Sequence, residues 1–163
     1  MKIEIERKFL VSSEDWRPPQ SGTLYRQGYL CTDPQRTVRI RISGGAAILA
    51  IKGHGEGLAR PEFEFPIPAT DAEMLFEQCC LQPLVEKYRY RIPYAGLTWE
   101  VDEFLGANHG LILAEVELER VDQPVALPSW VGAEVTGDPR YYNAYLARHP
   151  YTGWPGRAPG ALP

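Results

Sequence analysis

The sequence predicts an all-β-dominated domain in which eight antiparallel strands close into a barrel (a tunnel), with a few flanking helices. Three observations predict this fold. Eight segments alternate between apolar and polar residues with the two-residue period of a strand. Most connections between them are short and carry Gly, Pro or Asp, which favours antiparallel neighbours. The polar faces of the strands carry acidic residues in some strands and basic residues in others, as expected if these faces lie opposite one another inside a closed sheet.

The first strand shows the pattern most clearly. In Glu4-Ile5-Glu6-Arg7-Lys8, two carboxylates and one ammonium occupy one face, while Ile3, Ile5 and Phe9 occupy the other. A strand with a single solvated face would look the same, so the functional interpretation depends on repetition of the pattern. The eight predicted strands cover residues 2–11, 23–32, 37–43, 46–53, 59–67, 85–94, 97–104 and 111–121.

The later strands repeat this alternation. Their same-face charges are Arg39 and Arg41, Lys52, Glu62 and Glu64, Lys87, Arg89 and Arg91, Asp102, and Glu115, Glu117 and Glu119. Turn signals separate several strands at Asp33-Pro34, Gly44-Gly45, 53–55, Ala95-Gly96 and 106–110.

Three stretches carry helix-start signals, and their helices would pack outside the barrel or plug one of its ends. The predicted starts are Ser12 or Ser13 before a short turn at 14–16, Thr70 with Glu73 as a capping box before a helix through Cys79, and Asp138 with Pro139 before a helix through Leu146.

Length and composition predict one domain at residues 1–149, followed by a Pro/Gly-rich tail at 150–163 without regular structure. The net charge of −4 argues against a general nucleic-acid-binding surface but leaves room for a local anion site. Three cysteines, two of them adjacent, favour reduced thiols in a cytoplasmic protein. No apolar run is long enough for a membrane span. We also expect any homodimer to use the outer faces or helices.

A barrel whose interior is lined by these acidic and basic side chains permits two interpretations. The charges could neutralise one another and bind nothing, but buried ion pairs add little stability relative to apolar packing. The alternative is a polyphosphate–metal site. Arginine and lysine suit phosphate oxygens, while clustered carboxylates suit Mg²⁺ or Mn²⁺. The carboxylates would then be tolerable only with the metal present, which makes ligand binding metal-dependent.

This ordered set of motifs resembles the CYTH superfamily, the triphosphate tunnel metalloenzymes. The match begins with Glu4-x-Glu6-x-Lys8 and extends to about residue 148, and the chain looks most like the short bacterial group that hydrolyses inorganic tripolyphosphate. The motifs that carry the rest of the resemblance are Arg39-x-Arg41, Lys52, Glu62-x-Glu64, Lys87-x-Arg89, Asp102 and Glu115-x-Glu117-x-Glu119.

The resemblance implies a role for each group of residues. One Mg²⁺ or Mn²⁺ ion would be held by Glu4, Glu6, Glu115 and Glu117. A second ion, near Asp102 or Glu64, would help supply the attacking water. Tyr29 would bias the site toward tripolyphosphate, although a barrel-wall aromatic is an equal alternative. Lys8, Tyr29 and Lys52 are the catalytic candidates. The phosphate-binding candidates are Lys8, Arg39, Arg41, Lys52, Lys87 and Arg89, and the metal candidates are Glu4, Glu6, Glu64, Asp102, Glu115 and Glu117.

Three functions remain open from the sequence. The first is a metal-dependent triphosphatase that converts tripolyphosphate to pyrophosphate and phosphate. The second is a related enzyme, either an adenylate cyclase of class IV type or a thiamine or nucleoside triphosphatase. The third is a non-enzymatic binder of polyphosphate or nucleotide, against which the acidic strand at 115–119 argues, because a pure anion binder has no use for so many carboxylates.

Overall fold

The computed structural model describes residues 1–156 and has nine β-strands, of which eight close into an antiparallel barrel. The barrel order is β5-β4-β3-β2-β6-β7-β8-β1, and pairing of β1 with β5 closes it. The predicted fold is therefore confirmed. The strands are β1 (Lys2–Val11), β2 (Thr23–Asp33), β3 (Arg36–Ser43), β4 (Ala46–Gly53), β5 (Ala59–Ile67), β6 (Val85–Tyr94), β7 (Leu97–Phe104), β8 (Ile112–Glu117) and β9 (Val131–Glu134).

Two of the predicted turns are tight hairpins with left-handed backbone. Gly44 and Gly45 have φ of 55° and 80°, and Ala95 and Gly96 have φ of 49° and 82°. Positive φ at both central residues is typical of the two-residue turn whose twist matches that of the strands it joins. These turns therefore set the registers of β3 with β4 and of β6 with β7.

Strand predictions differed from the structure at the C-terminal side of the barrel. Strand β8 ends at Glu117 rather than continuing to residue 121, so Glu119 lies exposed beyond the sheet. The sequence analysis also missed β9, whose four residues pair with the end of β1 outside the closed barrel.

Helix α1 (Ala69–Gln78) packs on the outer face of β3 and β4, but the predicted capping box at its start is wrong. Pro68 is the N-cap and makes no side-chain cap, which leaves Thr70 inside the first turn. Strand β2 has a glycine below α1, and a Cβ on Gly28 would come within 2.9 Å of both Phe76 and Cys80. A glycine at this position therefore allows the helix to approach the sheet closely.

The C-terminal helix does start at Asp138 as predicted, but it is interrupted before Leu146. Asp138 caps a 3-10 helix, Pro139–Tyr141, by accepting a hydrogen bond from the backbone N–H of Arg140. The chain is then extended at Tyr142, and α2 (Asn143–Arg148) follows as a separate helix. The 14–16 stretch forms only a turn, in which the Ser13 hydroxyl accepts from the N–H of Asp15 at 3.3 Å.

Part of the predicted tail is ordered by contacts with the barrel. Tyr151–Gly153 forms a 3-10 helix, so the prediction of no regular structure is wrong there. The Tyr151 side chain is buried, and its backbone N–H donates to Oδ1 of Asn108 at 2.9 Å. The remainder of the predicted tail, residues 157–163, lies outside the described residues.

The hydrophobic core lies outside the barrel, between the sheet and the segments that cover it. One cluster surrounds Trp99 and includes Phe9 and Val116, and a second joins Phe104 to Leu146 under α2. The third lies between α1 and the strands β3 and β4. Because the apolar faces of the strands point outward, their charged faces meet in the lumen.

Candidate functional site: a charged tunnel

The barrel encloses a cavity of about 280 Å³ whose wall is formed mainly by charged side chains. All the predicted site residues except Asp102 line it, and they come from seven different strands. The predicted residues in the wall are Glu4, Glu6, Lys8, Tyr29, Arg39, Arg41, Lys52, Glu62, Glu64, Lys87, Arg89, Arg91, Glu115 and Glu117. The inference that these faces share one enclosed space is confirmed, while the individual roles stay predictions.

The acidic wall centres on β1 and β8, where two carboxyl groups lie in contact. Glu6 reaches deep into the lumen and hydrogen-bonds Glu115. Burial, together with the negative charges of Glu115 and Glu4, raises the pKa of Glu6 to about 8. Burial also acts to raise the pKa of Glu115, but attraction to Lys8, Arg89 and Lys87 outweighs it and holds that pKa well below its ordinary value. Of this pair, Glu6 is therefore the acid that holds a proton near neutral pH, while Glu115 is ionised.

A third carboxylate of this wall, Glu4 of β1, is neutralised by a lysine from β4, two strands away in the barrel. The ammonium of Lys52 lies 2.6 Å from Oε1 of Glu4 and 3.6 Å from Oε2 of Glu62. Burial acts to lower the pKa of Lys52, but the charges of Glu4 and Glu6 outweigh it, so the pKa is raised and the lysine stays protonated.

The basic wall consists of three arginines from β3 and β6. The guanidinium groups of Arg41 and Arg89 both lie over the ring of Tyr25, at 5.3 and 5.0 Å from its centroid. Burial and the neighbouring charge of Arg39 lower the pKa of Arg41. Like charges at this spacing repel one another, so the wall is arranged to receive an anion.

Arg39 differs from the five other predicted phosphate-binding bases because it has no carboxylate partner within 4.0 Å among residues 1–156. Its Nε is buried and makes no hydrogen bond. An unpaired guanidinium nitrogen costs free energy in the folded protein unless a ligand satisfies it. This orphaned donor marks the basic wall as an anion-binding surface.

Asp102 lies behind the basic wall rather than in the cavity. It is fully buried and accepts hydrogen bonds from Lys87 at 2.7 Å and from Arg89 at 2.7 and 2.8 Å. Both of its oxygens are therefore occupied by cations. Burial lowers the pKa of Lys87 to about 8, although Asp102 acts in the opposite direction. In this arrangement Asp102 orients two phosphate-binding candidates, while its role as a metal ligand stays a prediction.

One end of the lumen is closed by Tyr141–Asn143, which we call the crossing segment. Nζ of Lys8 donates to the carbonyl of Tyr141 at 3.0 Å and lies 5.5 Å from the centre of the Tyr142 ring. Oδ1 of Asn143 accepts from Gln27 at 2.9 Å and from Lys87 at 3.0 Å. The crossing segment thus joins β1 to β2 and β6 across the end of the barrel.

The opposite end is open to solvent. Glu117, a predicted metal ligand, pairs there with Lys2 at 2.7 Å, and its side chain is 48% exposed. Arg91 is mostly exposed as well and lies 3.4 Å from Glu100. A substrate would therefore enter from this side.

Several lining residues were missed by the sequence analysis. Lys2 and Glu100 lie two positions from predicted residues on the same strand face, and so does Gln27, which precedes Tyr29. Strict two-residue alternation would have identified them. Asn143 and Thr136 carry no such signal, because they come from segments that only the tertiary structure brings to the lumen.

Tyr29 is an aromatic residue of the barrel wall, as one of its two interpretations predicted. It is 4% exposed and packs in the hydrophobic cluster with Val85 and Phe104, yet it also forms part of the lumen wall. Its effect on substrate choice stays a prediction.

The carboxylates of the lumen fit a hard divalent cation. Glu6 forms no ion pair within 4.0 Å among the described residues, and its carboxyl lies beside that of Glu115, where a bound cation would replace the proton on Glu6. Within residues 1–156, no three His, Cys, Asp or Glu side chains are already gathered around one point. Such an ion would therefore keep water or phosphate oxygens among its ligands, as Mg²⁺ usually does.

The comparisons with known proteins agree with this geometry. The CYTH domain family matches residues 2–142. An inorganic triphosphatase of Acetivibrio thermocellus is 45% identical over 151 residues, covering 93% of this chain and 97% of that protein. An inorganic triphosphatase of Nitrosomonas europaea is 40% identical, with coverages of 88% and 96%.

Solved structures show the same fold. The crystal structure of an inorganic triphosphatase is 37% identical, covers 90% of this chain and 95% of its own, and superposes with a TM-score of 0.65. A putative adenylate cyclase from Bacillus halodurans, 14% identical, gives a TM-score of 0.61 over 75% of this chain and 84% of its own, which shows the fold alone. No helix among residues 1–156 has the length and apolar character to cross a membrane.

Proposed function

The chain belongs to the CYTH domain family, and on that premise we propose that it is a divalent-metal-dependent triphosphatase that hydrolyses inorganic tripolyphosphate to pyrophosphate and phosphate. Two relatives that it matches over nearly their whole length bear the name inorganic triphosphatase. The single observation that carries the proposal is the unpaired Arg39 in a lumen with one basic and one acidic wall.

The basic wall suits a linear chain of phosphates. Arg39 has donors free for phosphate oxygens, and Arg41 lies next to it on the same wall, with Arg89 on the other side of Arg41. Two unit charges 4 Å apart interact by about 4 kcal/mol at an effective dielectric of 20, so several bases together would hold a polyanion tightly. Lys8, Lys52 and Lys87 would complete the set around the chain.

The acidic wall would hold the metal on the other side of that chain. Triphosphatases of this family depend on a divalent metal, and we propose Mg²⁺ or Mn²⁺ on Glu4, Glu6 and Glu115, with Glu64 and Glu117 nearer the open end. When bound, such an ion supplies charge neutralisation at the phosphate oxygens and lowers the pKa of water. The carboxylates themselves orient the ion and exclude a second anion from their side.

The side chains that line the lumen contribute mainly by positioning. Phosphoryl transfer requires the attacking water, the phosphorus and the leaving pyrophosphate to lie roughly in line. Asp102 fixes the directions of Lys87 and Arg89 through three short hydrogen bonds, so these bases need no reorganisation when the substrate arrives. The closed end shields the chain from bulk water on one side, and the free thiols of Cys31, Cys79 and Cys80 support a cytoplasmic location.

A substrate panel tests the proposal. The purified protein would be assayed for phosphate release from tripolyphosphate, ATP and thiamine triphosphate, with Mg²⁺, with Mn²⁺ and with excess chelator. We expect the highest kcat/KM with tripolyphosphate and no turnover in chelator. Cyclic AMP formed from ATP would identify a cyclase instead, and tight binding without any phosphate release would identify a non-enzymatic binder.

A further inference from the structure

Asn143 occupies a position that the sequence motifs do not assign to any function. It is the first residue of α2 and lines the lumen at the closed end. Its side chain contacts the buried Lys87, and the buried Lys8 contacts the two residues before it, Tyr141 and Tyr142. A neutral amide therefore lies at the lysine-rich end of the lumen.

The orientation of this amide follows from its partners. Nζ of Lys87 lies 3.0 Å from one atom of the amide, and an ammonium only donates hydrogen bonds. That atom must therefore be the oxygen, which also accepts from Nε2 of Gln27 at 2.9 Å. Two donors from two different strands thus hold the Asn143 side chain in one of its two amide orientations.

The nitrogen of the same amide is left free for a ligand. Nδ2 of Asn143 has no acceptor among residues 1–156, and it is not among their buried unpaired atoms. It therefore stays accessible on a residue that lines the cavity. Since the charged side chains that contact the crossing segment are Lys8, Lys87 and Arg140, all of them cations, the surroundings favour an anionic acceptor for this N–H.

We propose that Asn143 is a substrate-binding residue whose Nδ2 donates a hydrogen bond to a terminal phosphate oxygen of tripolyphosphate. The inference rests on the proposed function. The crossing segment closes the barrel at this point, so a phosphate chain that enters from the open end must present one of its termini here. Asn143, Lys8 and Lys87 then form a subsite that binds the terminal phosphate group of tripolyphosphate.

Two substitutions separate donation by the nitrogen from positioning by the oxygen. Asn143→Asp keeps an oxygen for Gln27 and Lys87 but removes the N–H donor, whereas Asn143→Leu has a similar size and removes both. We expect each variant to raise the KM for tripolyphosphate by about 10- to 100-fold, the typical effect of losing a hydrogen bond to a charged group, with kcat changed far less.

Asn108→Ala is the matched control. Asn108 is buried outside the lumen and accepts from the N–H of Tyr151, so its loss lowers Tm without changing KM. Circular dichroism and Tm measurements show whether the Asn143 variants fold. A wild-type KM in Asn143→Asp or in Asn143→Leu would overturn the inference, whereas absence of turnover by the wild-type protein would overturn the proposed function itself.

Discussion

Replacing Arg39 with leucine separates ligand binding from folding, because this arginine is the lumen base with an orphaned donor. Its Nε is buried without a partner, which costs about 1–3 kcal/mol in the folded state. Its charge repels Arg41 and Lys52 and attracts Glu4, so the electrostatic contributions largely offset one another. We therefore expect Arg39→Leu to leave the free energy of unfolding unchanged or to raise it by up to about 1–3 kcal/mol.

The same substitution should severely weaken substrate binding. Each charge-assisted hydrogen bond to phosphate contributes about 1.5–3 kcal/mol, so loss of one or two such bonds raises KM by about 10-fold to more than 1,000-fold. Phosphate release measured over a range of tripolyphosphate concentrations gives KM, and thermal denaturation of the same samples without substrate gives Tm.

Arg89→Leu is the matched comparison, since Arg89 lines the same wall but is paired with Asp102 and Glu100. Its removal leaves Asp102 with only Lys87 as a partner and should cost about 3–5 kcal/mol. For a domain of this size that corresponds to a fall in Tm of roughly 6–20 °C. Equal losses of Tm in the two variants, or an unchanged KM in Arg39→Leu, would refute the assignment of Arg39 as a binding residue with no structural partner.

Three further predictions concern other parts of the structure. Asp102→Asn should lower the free energy of unfolding by about 3–5 kcal/mol, measured by urea denaturation, because two buried cations lose their counter-charge. Metal-free calorimetry should show tripolyphosphate binding weakening as pH rises through about 8, where both Lys87 and Glu6 lose their protons, and Lys87→Arg should make that loss of affinity smaller. Between pH 8 and its ordinary pKa of 10.5, Lys87 binds more protons in the unfolded chain than in the folded one, so its contribution makes stability rise with pH. Tyr151→Ala should lower the free energy of unfolding by about 3 kcal/mol, seen as a lower denaturation midpoint, since this side chain is buried against the barrel.

The strands and the composition of the lumen could be predicted because they depend on local geometry. Alternation in a strand assigns Glu4, Arg39 and Glu115 to one kind of face without any knowledge of distant contacts. Short elements were harder to predict. The four residues of β9 are too few to show a period, and the break at Tyr142 coincides with the point where Lys8 donates to the adjacent carbonyl of Tyr141.

The surroundings of Asp102 could not be predicted from strand alternation. Alternation placed its side chain correctly on the inward face, but Lys87 and Arg89 cover it and keep it out of the cavity. Asn143 reaches the lumen only because the crossing segment passes over the end of the barrel. Neither position could be obtained from residue spacing.

The order of residues along the chain was thus sufficient to establish a barrel with a charged interior, since the pleat of a strand sends alternate side chains to opposite faces. The folded protein alone decided which charges neutralise each other and which remain available. Pairs such as Lys52 with Glu4 join strands far apart in sequence, and Arg39 stays unpaired because no carboxylate of the opposite wall comes within reach. Ion pairing depends on distances across the lumen, and those distances exist only once β1 and β5 have closed the sheet.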